Sequence, residues 1–231
     1  MVVAAGMLAA GAAARAADLK SEVLGNLQSE DPAIRDAAAK AVISNPSLGT
    51  NVVSDIEAIA QQFIADDQRK GTAKTAILLL GKLKSKRSIP FLIEHMTFYV
   101  PYRPGRLESI RGACPCVAAL IDIGEPAFPA VLARGLKDDD MGIERCLKII
   151  FLHAKNKTAA REFLAESLEK LKTENARNKV KDLLDFLPKD SPTPTPTVKK
   201  SEPQPVAVKE SAPQSVTVNG VTYTAPLKPT P

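Results

Sequence analysis

The stretch from Asp67 to Met96, DQRKGTAKTAILLLGKLKSKRSIPFLIEHM, restricts the folds open to this chain more than any other. A small-residue amphipathic helix runs into Gly81, a short basic turn follows, and a second apolar helix opens at Ile89-Pro90. Weaker copies of the pattern recur along the sequence. Repetition at this scale means helical pairs that bury their apolar faces only against neighbouring pairs, which builds a solenoid. Such a framework binds more often than it catalyses.

Hydrophobic spacing is helical from Asp18 onward. It predicts pairs of helices at 18–28 and 31–44, 51–64 and 67–83, 86–97 and 107–123, 125–137 and 140–154, and 157–172 and 175–187. In the first pair Asp31 is the expected N-cap and Pro32 lies in the first turn. Ile34, Ala37, Ala38, Ala41 and Val42 then share one face. Asn45-Pro46 is expected to end that helix, and Ser47-Leu48-Gly49 to turn the chain. Pro115 falls inside 107–123, so the helix there must kink or start late.

The copies align. Ala38 and Ala41 correspond to Ala73 and Ala76, then to Cys116 and Ala119, at intervals of 35 and 43 residues for the first position. Leu80-Gly81 corresponds to Ile123-Gly124, each ending a second helix. Ile89-Pro90-Phe91-Leu92 corresponds to Phe128-Pro129-Ala130-Val131, each opening the next first helix. Small residues at matched positions let second helices approach closely.

On these residues the chain resembles the HEAT-repeat family. Asp31, Pro32, Arg35, Ala38, Ala39 and Ala41 look like the second helix of such a repeat. Leu80-Gly81-Lys82-Leu83 with Ser88 to Ile93, and Ile121 to Leu136, resemble junctions between consecutive repeats. The resemblance covers about 18–187. It implies an all-α fold, an α-solenoid of about five two-helix units that serves protein–protein interaction. The Asp-Pro opening and the small-residue pair are missing near 140–154 and 175–187, which suits capping units at the end of an array.

Composition changes at both ends. Ten of the 18 prolines lie from Pro188 to Pro231, and the run SPTPTPT at 191–197 is expected to be extended and solvated. From Ser215 to Thr224 β-branched residues alternate around Asn219-Gly220, a hairpin signal. An isolated hairpin is marginal in water, so 188–231 is expected to be a disordered Pro-rich tail with a transient turn. At the other end, Val2 to Ala14 form an apolar run, and Ala14-Arg15-Ala16 offers a small-x-small cleavage site before Ala17. No Lys or Arg precedes the run, which is too short to span a bilayer. Residues 1–17 are therefore expected to be a signal peptide directing export to a bacterial periplasm or cell envelope, with no transmembrane segment in the mature chain.

The formal net charge is +5, but Arg15 and the tail carry much of it and the helical body is close to balance. Nucleic-acid binding domains concentrate far more positive charge, so no nucleic acid is expected as partner. A Gly-rich phosphate loop is absent, and His95 and His153 fall in different repeats without metal-ligand spacing. His95 is expected to meet carbonyls at its helix end, and Asp138, Asp139 and Asp140 to cap the helix that follows them. No catalytic residue, metal or cofactor is expected.

Cys114-Pro115-Cys116 is the one chemically suggestive motif, since Cys-x-Cys binds soft metals or cycles redox states. No further ligand has fitting spacing, and Cys116 takes the small core position that Ala73 fills one repeat earlier. Cys146 sits one repeat later, which makes Cys116 and Cys146 the candidate disulfide. A basic cluster, Lys82, Lys84, Lys86 and Arg87, borders a turn, and Arg103 and Arg106 lie on a loop at 98–106. Tyr and Arg favour interface hot spots. Tyr99, Tyr102, Arg103, Arg106, Lys84, Lys86 and Arg87 are therefore the candidate partner-binding residues. The expected function is a monomeric, non-enzymatic scaffold that binds another protein. Two other readings stand beside it: a spacer, and an enzyme-associated or lyase-like helical-repeat protein handling tetrapyrroles or alkylated nucleic acid through Cys114, Cys116 and the basic edge.

Overall fold

The computed structural model describes residues 17–101, 110–188, 215–218 and 221–224. The chain divides into two units, Met1–Ser191 and Pro192–Pro231. Among its described residues the first is all-helical. Its helices are α1 (17–27), α2 (Pro32–Ser44), α3 (Pro46–Phe63), α4 (Lys70–Lys82), α5 (Ile89–Glu94) and α6 (Ile110–Ala113). They continue with α7 (Pro115–Ile123), α8 (Phe128–Lys137), α9 (Met141–Leu152), α10 (Lys157–Lys170) and α11 (Glu174–Phe186).

Local chemistry sets most of these limits. The Asp31 carboxylate accepts from Ala33 N at 2.8 Å, with Pro32 just inside α2, where a missing N–H costs nothing. Pro115 restarts the chain: α6 stops at Ala113, Cys114 leaves the helical region at φ −123° and ψ 74°, and α7 opens on the proline. α5 and α8 are each introduced by one 3-10 turn, Lys86–Ser88 and Glu125–Ala127, and each places a proline in its first turn. The repeated Ile-Pro-Phe and Phe-Pro-Ala thus fold alike.

One expectation here is corrected. Ser47-Leu48-Gly49 is not a loop but the first turn of α3. Asn45 ends α2 by donating its N–H to Val42 O at 3.2 Å and starts α3 by accepting from Leu48 N at 3.1 Å. Helix α4 ends at Lys82, just after Gly81 and within the expected 67–83. A Cβ at Gly81 would stand 2.5 Å from Ala119 Cα, so Gly81 is the point where α4 and α7 meet backbone to backbone. The reversal belongs to Lys84, left-handed at φ 51°. Ser85 N donates to Leu80 O at 3.1 Å and Lys84 N to Gly81 O at 3.0 Å, closing the helix end. Gly124, at φ 81°, does end α7 as expected.

Helices α2, α4, α7, α9 and α11 each pack on the next, while α3 lies against α2 and α4, α5 against α7 and α8, and α10 against α9 and α11. One hydrophobic cluster runs from Val23 to Leu187. Arg69 and Arg35 tie the first turn into it. Arg69 Nη2 donates to Gln28 O with its guanidinium 4.0 Å from the Phe63 ring, and Arg35 Nη1 donates to Ser29 O and Glu30 O at 2.8 Å each. On α2 only Ala38 and Val42, with Arg35, are buried. Ile34, Ala37 and Ala41, expected on the core face, are exposed.

In the second unit β1 (Ser215–Val218) and β2 (Val221–Thr224) pair antiparallel, with Val218 opposite Val221 and Ser215 opposite Thr224. Strand pairing is present where the sequence signals a hairpin; Asn219-Gly220 and the run at 191–197 lie outside the described residues.

Candidate functional site: a groove between α2 and α4

Because α2 and α4 lie side by side with small residues between them, their solvent faces leave a groove of about 170 Å³. Asp36, Ala39 and Ile43 line it from α2, at one-turn and two-turn spacing; Lys74, Thr75, Leu78 and Lys82 line it from α4 in the same way. Ala39 is what opens the hollow, and Ile43, 48% exposed, is its largest uncovered apolar side chain. The apolar floor with Asp36, Lys74 and Lys82 at the margin has the make-up of a surface that buries a side chain and fixes its register by charge.

Lys82 is held from the far side. Its Nζ is 3.3 Å from Asp122 Oδ2 on α7, and Lys155 Nζ approaches Asp122 Oδ1 at the same distance. Asp122 is 3% exposed and ties the end of α4 and the turn after α9 to α7. Its carboxylate is shielded from water while both lysine heads remain half-exposed, so the pairing orients the lysines more than it stabilises the fold.

A larger hollow of about 290 Å³ lies among α8, α9 and α11, floored by Leu132, Leu136, Leu147 and Leu183. Several of its charges are paired with one another or cap a helix. Glu144 pairs with Lys148 at 2.5 Å, Asp139 with Lys179 at 2.5 Å, and the Asp140 carboxylate accepts from Gly142 N and Ile143 N at 2.6 and 3.2 Å as the cap of α9. The hydrogen bond from Lys179 holds the Asp139 carboxyl below the usual carboxylate range. The α2–α4 groove, where Ile43 leaves a large apolar side chain uncovered, is taken as the candidate.

The residues favoured from sequence sit elsewhere. Lys84, Lys86 and Arg87 are exposed on the turn between α4 and α5, and Tyr99 is exposed beyond α5. Tyr102, Arg103 and Arg106 lie outside the described residues. None of the described four lines the groove. Of its own residues, Ala39 belongs to the repeat-like motif of α2 and Lys82 to the basic cluster, and neither is among the candidate partner-binding residues. The available signal was the pairing of Asp36, Ala39 and Ile43 with Lys74, Leu78 and Lys82 at matched helical spacing. His95 Nε2 donates to Gln61 Oε1 at 3.2 Å and packs 4.9 Å from the Phe91 ring, in place of the expected helix-end carbonyls.

All three cysteines are free, and the candidate Cys116–Cys146 bridge is not formed. Cys146 instead points its thiol at Met96 O, 3.6 Å away. Burial, then the neighbouring Cys114 thiol, pushes Cys146 up to about 11; burial pushes Cys116 further still, and Cys114 less. Thiolate is the reactive form. Alkylation of the native protein at pH 8 is therefore expected to be slow at Cys114 and negligible at the other two, with all three reacting in denaturant.

The same burial has a consequence for stability. Above the ordinary thiol range the unfolded chain loses protons that the folded chain keeps, so stability falls as pH rises from 9.0 toward about 11. The slope is at most about 1.4 kcal/mol per pH unit per thiol. Urea titrations at pH 8.5 and 10.5 check it: Cys146→Ala should flatten the difference, and an unchanged difference removes the buried thiol as its cause.

Among the described residues no three of His, Cys, Asp or Glu are placed to hold a metal ion, and no single helix is long and apolar enough to cross a membrane. No protein-family model, curated protein or solved structure matches this chain.

Proposed function

We propose that this chain is an α-solenoid of HEAT-like two-helix units that holds another protein, without catalysis, in the periplasm or at the cell envelope. The open α2–α4 groove carries the reading: an apolar trough with Ile43 uncovered and Asp36, Lys74 and Lys82 along its margin. The succession α2, α4, α7, α9, α11 supports it, since helices that pack each on the next are what stacked two-helix units require. The groove suits a partner helix that lowers one or two aliphatic side chains onto Ala39 and Leu78 and sets its own charges against the rim. The address rests on residues 1–17, whose apolar run and Ala14-Arg15-Ala16 fit export.

The test is capture from an envelope fraction by the parent chain and by Ile43→Asp with Leu78→Asp. Each anchor that loses an apolar contact is worth about 1.5–3 kcal/mol, which is roughly tenfold or more in affinity. Recovery of the partner should fall at least tenfold while the far-ultraviolet circular dichroism stays helical. Equal recovery by parent and variant would take the groove out of the function.

A further inference from the structure

The hollow among α8, α9 and α11 carries a charge pattern that the α2–α4 groove lacks. Its walls hold five carboxylates, Asp138, Asp139, Asp140, Glu144 and Asp182, against two ammonium groups, Lys148 and Lys179. A chain with a formal net charge of +5 thus turns acidic around this cavity. Pairing within the fold neutralises only part of the excess. Asp138 meets Arg134 Nη1 at 3.0 Å, while Asp139 meets Lys179 and Glu144 meets Lys148 at 2.5 Å each. Two acids are left over. Asp140 uses one oxygen, Oδ1, to accept from Gly142 N and Ile143 N, and it has no ion pair among the described residues. The Asp182 carboxylate, exposed on α11, has neither an ion pair nor a hydrogen bond among them.

Acids at a helix start are ordinary, but the surface beneath these is not. Leu132, Leu147 and Leu183 are buried, Leu136 is half-buried, and together they floor the cavity. A leucine floor under exposed carboxylates matches one kind of guest, a cation on an aliphatic stem. Lys and Arg lay their methylenes on apolar surface and keep the charged head in polar surroundings. Their bonds to a carboxylate are about twice as strong as those of a neutral donor. Lys179 already shows the fit: its Nζ reaches Asp139 and, at 3.4 Å each, the Gly135 and Asp138 carbonyls. Size limits the guest further. At about 290 Å³ the cavity falls at the bottom of the range of about 300–1,000 Å³ that holds whole small-molecule ligands, so it suits a single side chain presented by a polypeptide.

We propose that this hollow is a docking socket for a basic residue of a partner polypeptide, a Lys or Arg whose stem lies on Leu136 and Leu183 and whose head meets Asp140 and Asp182. The socket shares no residue with the α2–α4 groove and needs neither that groove nor export, so either site can fail alone.

Titration of the isotope-labelled full chain with Nα-acetyl-lysine amide, followed by nuclear magnetic resonance, tests it. Nα-acetyl-norleucine amide supplies the same stem without the charge. Amide signals of residues 139–144 and 182–184 should move and saturate with the lysine probe. The norleucine probe should bind about tenfold more weakly, because it lacks the charge-assisted bonds. Asp182→Asn with Asp140→Ser should weaken the lysine probe by a similar factor, with serine still capping α9 and circular dichroism confirming the helical fold. Asp182→Asn alone, an exposed change, should give part of that loss. No response to the lysine probe overturns the proposal, as does equal binding of the two probes or a response that survives the double substitution. A free diamine, cadaverine, that displaces the lysine probe at equal concentration would make the guest a small molecule and also overturn it.

Discussion

Gly81→Ala is expected to destabilise the helical unit by about 2 kcal/mol, although alanine is the better helix former. The added methyl would meet Ala119 at Cα (2.5 Å), Cβ (2.9 Å) and O (3.1 Å), atoms that no rotamer change can move aside. α4 and α7 must separate, at the upper end of the roughly 1–3 kcal/mol that overpacking costs. The helix-propensity gain of about 1 kcal/mol offsets part of that. At about 2–4 °C per kcal/mol for a unit of this size, the melting temperature should drop by several degrees. Gly25→Ala is the control, since nothing lies within 4 Å of its added Cβ and only the propensity gain remains. Parallel thermal melts decide the matter. A Gly81→Ala protein at least as stable as the parent would mean that the two helices do not touch at this point.

Gly81 also shows where sequence reasoning stops. Gly81 and Gly124 both follow an aliphatic residue near the end of a second helix, and on sequence they look equivalent. Gly124 serves the backbone at φ 81°, whereas Gly81 serves a contact with a helix far along the chain. Only the second is invisible locally. Helix starts were legible at Asp31, Pro115 and Asp140 because a cap or a proline acts within its own turn. Asn45 escaped because one side chain does two jobs, ending one helix and beginning the next, where Asn-Pro ordinarily means a loop.

The α2 face was misjudged for a related reason. Helical period places Ile34, Ala37 and Ala41 beside Ala38 and Val42, but whether a neighbour covers them depends on what packs outside α2. The candidate site divides in the same way. Tyr99, Lys84, Lys86 and Arg87 were chosen by residue type, and they are exposed but not assembled into a hollow. The groove arises only when α2 is laid against α4, so its ingredients were in view and their juxtaposition was not.

Phe151→Ala is expected to have the largest effect of any single truncation, about 3–5 kcal/mol. The ring is fully buried on α9, 5.2 Å from Phe128 of α8 and 6.3 Å from Phe163 of α10, and those two lie 5.8 Å apart. One side chain therefore joins three consecutive helices, and its removal leaves a hole that Leu147 and Ile150 on the same helix cannot fill without shifting. Where the loss is felt matters as much as its size. In a stack whose units touch only their neighbours, stability is a sum of unit and interface terms, and damage stays near its source. Hydrogen exchange of the variant should show α10 and α11 opening first, while amides of α3 and α4 keep most of their protection. Equal loss from α3 through α11 would mean one indivisible core, and the solenoid reading, with the binding function built on it, would have to be abandoned.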